Sequence, residues 1–172
     1  MFELQFPDSE LRTWAGRYDY APPDDLEVTP EKAGQYMQRN RQLSKPLFVE
    51  LCRWKTQRNT QHYQGNGAAF IQEVTHVALT SPSERLRIEV LRLLDGVQWP
   101  VGSVILHFGH HDPYPILDRR AFWSLGFDEP PRYDFEVWEA YVHFCRSTAR
   151  KHGISIRELD KALWKYSKEN QD

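Results

Sequence analysis

Cysteine is scarce in this 172-residue chain: only Cys52 and Cys145 occur, each inside an apolar pattern of helical spacing and neither in a CxxC pair. That argues against a disulfide framework or a thiolate metal site and leaves buried, reduced thiols. Long hydrophobic runs are missing as well, with nowhere about 18 consecutive apolar residues. The opening stretch MFELQFPDSELRTW has no basic segment followed by an apolar one, so neither a membrane span nor a leader is read and a cytoplasmic protein is expected. Nor is there a surplus of cations: 22 Lys and Arg face 24 Asp and Glu, for a net charge of −2 and a pI near 6.4. A histone-like, purely electrostatic nucleic-acid binder would carry the opposite balance. No internal repeat, low-complexity tract, Ser-His-Asp order, phosphate-binding P-loop or dinucleotide fingerprint is visible.

What the chain does have is helix punctuation. Alternating β-branched runs are scarce while start signals recur, so the reading is mostly α: a single compact helical domain over residues 1–172, long enough to bury one core. Thr29 before Pro30 opens a helix to about Arg41, and Ser44 before Pro46 opens LFVELCRWK. Ser81-Pro82-Ser83-Glu84 has capping-box spacing and leads a helix with apolar Leu86, Val90, Leu91, Leu93 and Leu94, which Gly96 is expected to end. Asp134 opens a helix with Val137, Tyr141, Phe144 and Thr148 on one side, stopped by Gly153. Ser155 with Glu158 repeats the capping box before a last helix carrying Leu159, Ala162, Leu163 and Tyr166, with a frayed KENQD end. Residues 18–29, with two prolines and clustered acids, form an irregular arm. Charge is unevenly spread: Arg39, Arg41, Lys45, Arg53, Lys55 and Arg58 follow that acidic arm, so a basic face fits on a mildly acidic protein.

Residues 87–120, RIEVLRLLDGVQWPVGSVILHFGHHDPYPILDRR, carry the chemistry. An amphipathic helix runs into a glycine turn, and VGSVILHF is apolar enough for a second, largely buried helix. Free amides at the amino end of that helix bind anions, and a glycine turn lets a phosphate approach the backbone. A DNA backbone phosphate is one ligand that fits.

This segment resembles the helix-hairpin-helix superfamily of base-excision DNA glycosylases, whose hairpin reads LPGVGxxxAxxVL and whose catalytic aspartate follows the second helix. Leu94-Asp95-Gly96-Val97 takes the place of LPGV, and Gly102 falls where the family has a small residue, before Val104-Ile105-Leu106. Without a gap, Pro115-Ile116-Leu117 then leads to Asp118 at the distance of the family's aspartate. The resemblance implies a helix-hairpin-helix over 86–108 and an enzyme that flips a nucleotide out of double-stranded DNA and hydrolyses the N-glycosidic bond of a modified or damaged base. Asp118 would stabilise the oxocarbenium-like sugar or orient the attacking water. Gly96, Val97, Gln98, Gly102 and Ser103 would meet the DNA backbone. The sequence departs from the pattern at Gln98, where the second hairpin glycine stands. It departs again at Pro100, where bifunctional members carry a Schiff-base lysine, which implies a monofunctional enzyme without lyase activity. Neither a cofactor nor a metal is implied. The bland role for Asp118 is an N-cap for RRAFWSLG or a partner for Arg119 or Arg120, which are themselves candidate DNA contacts.

Other constellations complete the candidate site. Trp54, Gln57, Lys55 and Arg58 end a helix, weakly resembling the stretch with which glycosylases fill the gap left by a flipped base; Gln57 would be the wedge, and Lys55 and Arg58 phosphate contacts. His62 and Tyr63 lie in a polar aromatic loop able to border a base pocket, and Trp99 and Tyr114 flank the hairpin and the aspartate loop. Trp123, Trp138 and Trp164 are read as packing. His107, His110, His111 and Asp112 form the densest set of metal-type side chains, without an HxH or HExxH motif. The leading reading is therefore a monofunctional DNA glycosylase. The alternatives are a noncatalytic module that grasps nucleic acid or a protein, and a metal-dependent hydrolase built on the histidines.

Overall fold

The computed structural model describes residues 2–171, and no strand occurs among them. The protein is all-helical, and its helices gather into two compact units. One unit combines the chain up to Ala21 with everything from Pro113 onward; the other spans Pro22–Asp112.

The first unit is built from α1 (Leu11–Gly16), α8 (Arg119–Trp123), α9 (Phe135–His152) and α10 (Ile156–Asn170). Asp134 caps α9 by accepting the Val137 N–H at 2.9 Å, and Gly153 ends it in the left-handed region. Ser155 and Glu158 form a reciprocal capping box on α10. Of the KENQD end expected to fray, Lys168–Asn170 are helical and Asp172 lies outside the described residues. The helix holds to Asn170, because Lys165 pairs with Glu169 one turn on and Arg17 reaches Glu169 from α1. Leu159, Ala162 and Leu163 of α10 face inward with Leu11, while Phe122 and Tyr141 pack at a ring separation of 5.1 Å.

The second unit comprises α2 (Pro30–Asn40), α3 (Lys45–Lys55), α4 (Thr60–Gly65), α5 (Ala68–Thr80), α6 (Glu84–Leu91) and α7 (Trp99–Gly109). Its centre is α7, whose Val101, Val104, Ile105 and Leu106 are buried, each worth about 1.5–3 kcal/mol relative to exposure. A methyl group added at Gly34 of α2 would lie 2.6 Å from the Phe108 carbonyl oxygen, so that glycine allows α2 and α7 to approach backbone to backbone. Residues 18–29 are irregular, as expected.

Three local expectations are corrected. Ser83, not Ser81, caps α6, accepting the Leu86 N–H at 3.2 Å; Ser81 instead ends α5, so Glu84 stands at the first helical position rather than the third. The helix stops at Leu91, ahead of Gly96, and turns its Ile88 and Leu91 inward while Leu86 and Leu93 stand 46% and 62% exposed. The polar stretch around His62 and Tyr63 is the helix α4, not a loop, because Tyr63 is wholly buried and draws the backbone with it. Among the described residues no helix is long and apolar enough to cross a membrane.

Candidate functional site

In the second unit, α6, the turn at 92–98 and α7 follow one another along the chain. Gly96 has φ of +83°, the left-handed region that glycine occupies without strain. It also faces Tyr63 so closely that an added Cβ would lie 2.8 Å from the ring. The turn is pinned by two side chains that sequence reasoning did not single out. Buried Asn66 accepts the Asp95 N–H at 2.8 Å and donates to the Asp95 carbonyl at 3.1 Å, and Asn59 donates to the Gly96 carbonyl at 3.3 Å. Asn66 follows α4 at Gly65-Asn66-Gly67, where an amide between glycines was the available signal.

The first turn of α7 is opened by Gln98, whose side chain makes no capping hydrogen bond, and Pro100 contributes no N–H. An anion at this end of α7 would meet main-chain donors beside an exposed Gln98. Val97, Gly102 and Ser103 are buried and present no side chain to a ligand. Gly102 instead lets α7 pass α6, since a Cβ would sit 3.2 Å from Ile88 Cδ1, and Ser103 Oγ donates to the Pro100 carbonyl at 2.7 Å.

The expected pocket and wedge residues separate by burial. Trp54, Tyr63, Trp99 and Tyr114 are core side chains rather than surface rings, the first three turned inward from their helices and Tyr114 from the segment between α7 and α8: Trp54 meets Phe108 edge-on at 5.5 Å, and Tyr114 stacks on Trp138 at 5.6 Å. Gln57, Arg58 and His62 are exposed, and Lys55 is half-buried. Gln57 Nε2 lies 3.4 Å from Asp25 Oδ1, and Arg53 is bound by Asp25 and Glu50, so the acidic arm neutralises part of the cationic stretch.

Asp118 belongs to the first unit. It is half-buried and caps α8, its Oδ1 accepting the Arg120 N–H at 2.8 Å. It borders an open cleft of about 450 Å³ together with Arg119, Arg120 and Gln171. The phenols of Tyr20, Tyr133 and buried Tyr141 stand within its electrostatic reach. Burial, reinforced by the Asp118 charge, pushes Tyr133 up to about 12 and raises Tyr20, so both remain protonated at neutral pH. The backbone leading to Asp118 is held from both sides. Buried Asp160 accepts the Ile116 N–H at 3.0 Å, the Tyr141 hydroxyl donates to the Ile116 carbonyl at 3.1 Å, and Arg146 donates to the Pro113 carbonyl at 2.7 Å. Asp160 and Tyr141 carried no sequence signal beyond their place on inward helical faces. A carboxylate with one oxygen committed to an amide, next to guanidinium groups and protonated phenols, is positioned to stabilise a nearby cation or to orient a water.

The histidine cluster assembles in part. Ligand-type atoms of His110, His111 and Asp112 lie within 4.8 Å of one another, whereas His107 packs edge-on against Phe108 at 4.7 Å. Asp112 Oδ2 is 2.8 Å from an Arg87 guanidinium nitrogen, so one of the carboxylate's oxygens is already paired with a cation. Burial, with the charges of Arg87 and His111, lowers His110 to about 4, so it stays neutral. Trp138 is fully packed, but Trp123 and Trp164, also expected to serve as packing, are half-exposed.

Comparison with protein-family models, with curated proteins and with solved structures finds no match to this chain.

Proposed function

We propose that the protein is a monofunctional DNA glycosylase, with Asp118 as the essential carboxylate and an altered or modified base in duplex DNA as substrate. The observation that carries the reading is the setting of Asp118, a half-buried carboxylate on an open cleft that two arginines and a glutamine help to line. Departure of a base leaves positive charge on the sugar, which a fixed carboxylate stabilises, while Arg119 and Arg120 suit the flanking phosphates. The ordered turn at Gly96 supports it further: Asn66 fixes it at Asp95, and it leads into the amino end of α7, whose first-turn amides are the kind of donors that bind a phosphate. Pro100, in the place of the resemblance's lyase lysine, supports base release without strand cleavage.

The test is release of free base, read by mass spectrometry, from damaged and naturally modified DNAs, with abasic sites read as alkali-labile breaks. Asn replaces Asp118 as an equally good helix cap, so Asp118→Asn keeps stability within a few tenths of a kcal/mol, whereas Asp118→Ala loses about 1 kcal/mol. Base release falls at least about 100-fold in both. Undiminished release by Asp118→Asn refutes the mechanism. Salt-sensitive DNA binding without release from any substrate favours instead the binding-module reading, in which Asp118 is only the cap of α8.

A further inference from the structure

Beside Asp118 the first unit carries a group of rings and cations that the glycosylase reading does not use. Tyr18 and Tyr20 leave α1 and lie against α10, their rings 6.3 Å apart and nearly parallel, and each meets Trp164 edge-on, at 5.2 and 5.7 Å. All three are half-exposed. Four cations stand over these rings: Arg157 and Lys161 lie 5.3 and 5.5 Å from the Tyr18 centroid, and Lys168 and Arg120 lie 5.1 and 5.8 Å from that of Trp164. On α10 the spacing from Arg157 to Lys161, Trp164 and Lys168 keeps them on one helical face, a stripe about 16 Å long at 1.5 Å per residue. Arg120 and the Asp118 charge felt by Tyr20 join one end of that stripe to the cleft. Of the neighbouring acids, Glu169 pairs with Lys165 and Arg17, and Asp19 lies 3.0 Å from Lys165 and 3.1 Å from Lys168, the latter an exposed and therefore weak ion pair that a phosphate on Lys168 displaces.

We propose that this stripe is a binding surface for an unpaired polynucleotide strand, whose bases stack on Tyr18, Tyr20 and Trp164 and whose phosphates pair with the cations above them. Rings alternating with cations match the alternation of flat bases and charged phosphates, which an acidic peptide does not offer. Cation–π contacts at half-exposed rings are weak, so long Lys and Arg side chains exchange a ring for a phosphate and uncover the faces on which bases stack. The surface takes DNA or RNA alike, because nothing in it reads the sugar. It disfavours duplexes, whose bases are already stacked on each other.

The surface is tested by fluorescence anisotropy with labelled short oligothymidylate, oligouridylate and a duplex of matched length, using the Asp118→Asn protein so that binding is read without base release. Both single strands bind more tightly than the duplex. Trp164→Leu, which keeps an apolar side chain but no π face, weakens single-strand binding about tenfold. The pair Lys161→Gln and Lys168→Gln lowers the salt slope of log K by about 1.4, at ~0.7 per phosphate contact, and its circular dichroism stays that of the parent. Equal binding of duplex and single strand overturns the proposal. So does an unchanged salt slope in the lysine variant, or competition by polyglutamate as effective as that by the oligonucleotide. Since no arm measures base excision, loss of the glycosylase reading leaves this result standing, and the reverse holds.

Discussion

Replacing Gly96 by alanine tests the turn that the functional reading depends on. Two penalties add. At φ of +83° a residue with a Cβ carries roughly 1–2 kcal/mol of strain. The new methyl would also lie 2.8 Å from Tyr63 Cε1, 2.9 Å from Cδ1 and 3.0 Å from His62 Cβ. The Tyr63 ring is 0% exposed and wedged edge-on against Phe48 at 6.2 Å, so it has no free direction in which to yield. Overpacking of this kind costs about 1–3 kcal/mol, for a sum of about 2–5 kcal/mol. Urea denaturation at constant m reads the loss directly. Repeating the substitution in a Tyr63→Leu background separates the two penalties. Removing the ring relieves the steric part but not the backbone part, so the double-mutant cycle returns a coupling of about 1–3 kcal/mol. A loss below about 1 kcal/mol, or an identical loss in both backgrounds, refutes the reasoning.

Asn66→Ala deletes both hydrogen bonds to the Asp95 peptide and leaves that peptide without its side-chain partner, at about 1–3 kcal/mol; hydrogen exchange should speed up at Asp95 while α9 amides stay protected. Unaltered exchange at Asp95 would show that the turn holds itself. For His110 the sign is that of a buried neutral base: its folded-state value of about 4 lies below the ordinary 6.5, so the unfolded chain binds the proton more readily. The stabilisation is complete above about pH 6.5 and drains away as pH falls toward 4. Denaturation midpoints should therefore decline across that interval in the parent and less steeply in His110→Gln; parallel profiles would remove His110 as the cause.

Local chemistry was legible in the residues themselves. Thr29, Asp134, Ser155 and Gly153 each mark a helix boundary through their own side chain or lack of one, and so needed no partner. The apolar run VGSVILHF announced a buried helix because almost every residue in it must leave water. The Asp118 position came from spacing along the chain, and its capping role from the residue type. Which face a ring turns to was not legible. Trp54, Trp99 and Tyr114 read equally well as pocket walls or as core, since an aromatic side chain suits both, and only neighbouring helices settle the matter. Trp164 fell the other way, half-exposed beneath cations contributed by α8 and α10. Asn66 and Asp160 act on backbone groups far along the chain, Asp95 and Ile116, so nothing in their sequence neighbourhoods announces them. The sequence by itself determined that this chain is helical, where α2, α3, α9 and α10 begin and where α2 and α9 end, and that a glycine turn precedes a buried helix. Tertiary structure alone decided which polar groups pin the turn and the Asp118 loop and which rings meet solvent, because burial and long-range hydrogen bonding belong to packed neighbours and not to residue types.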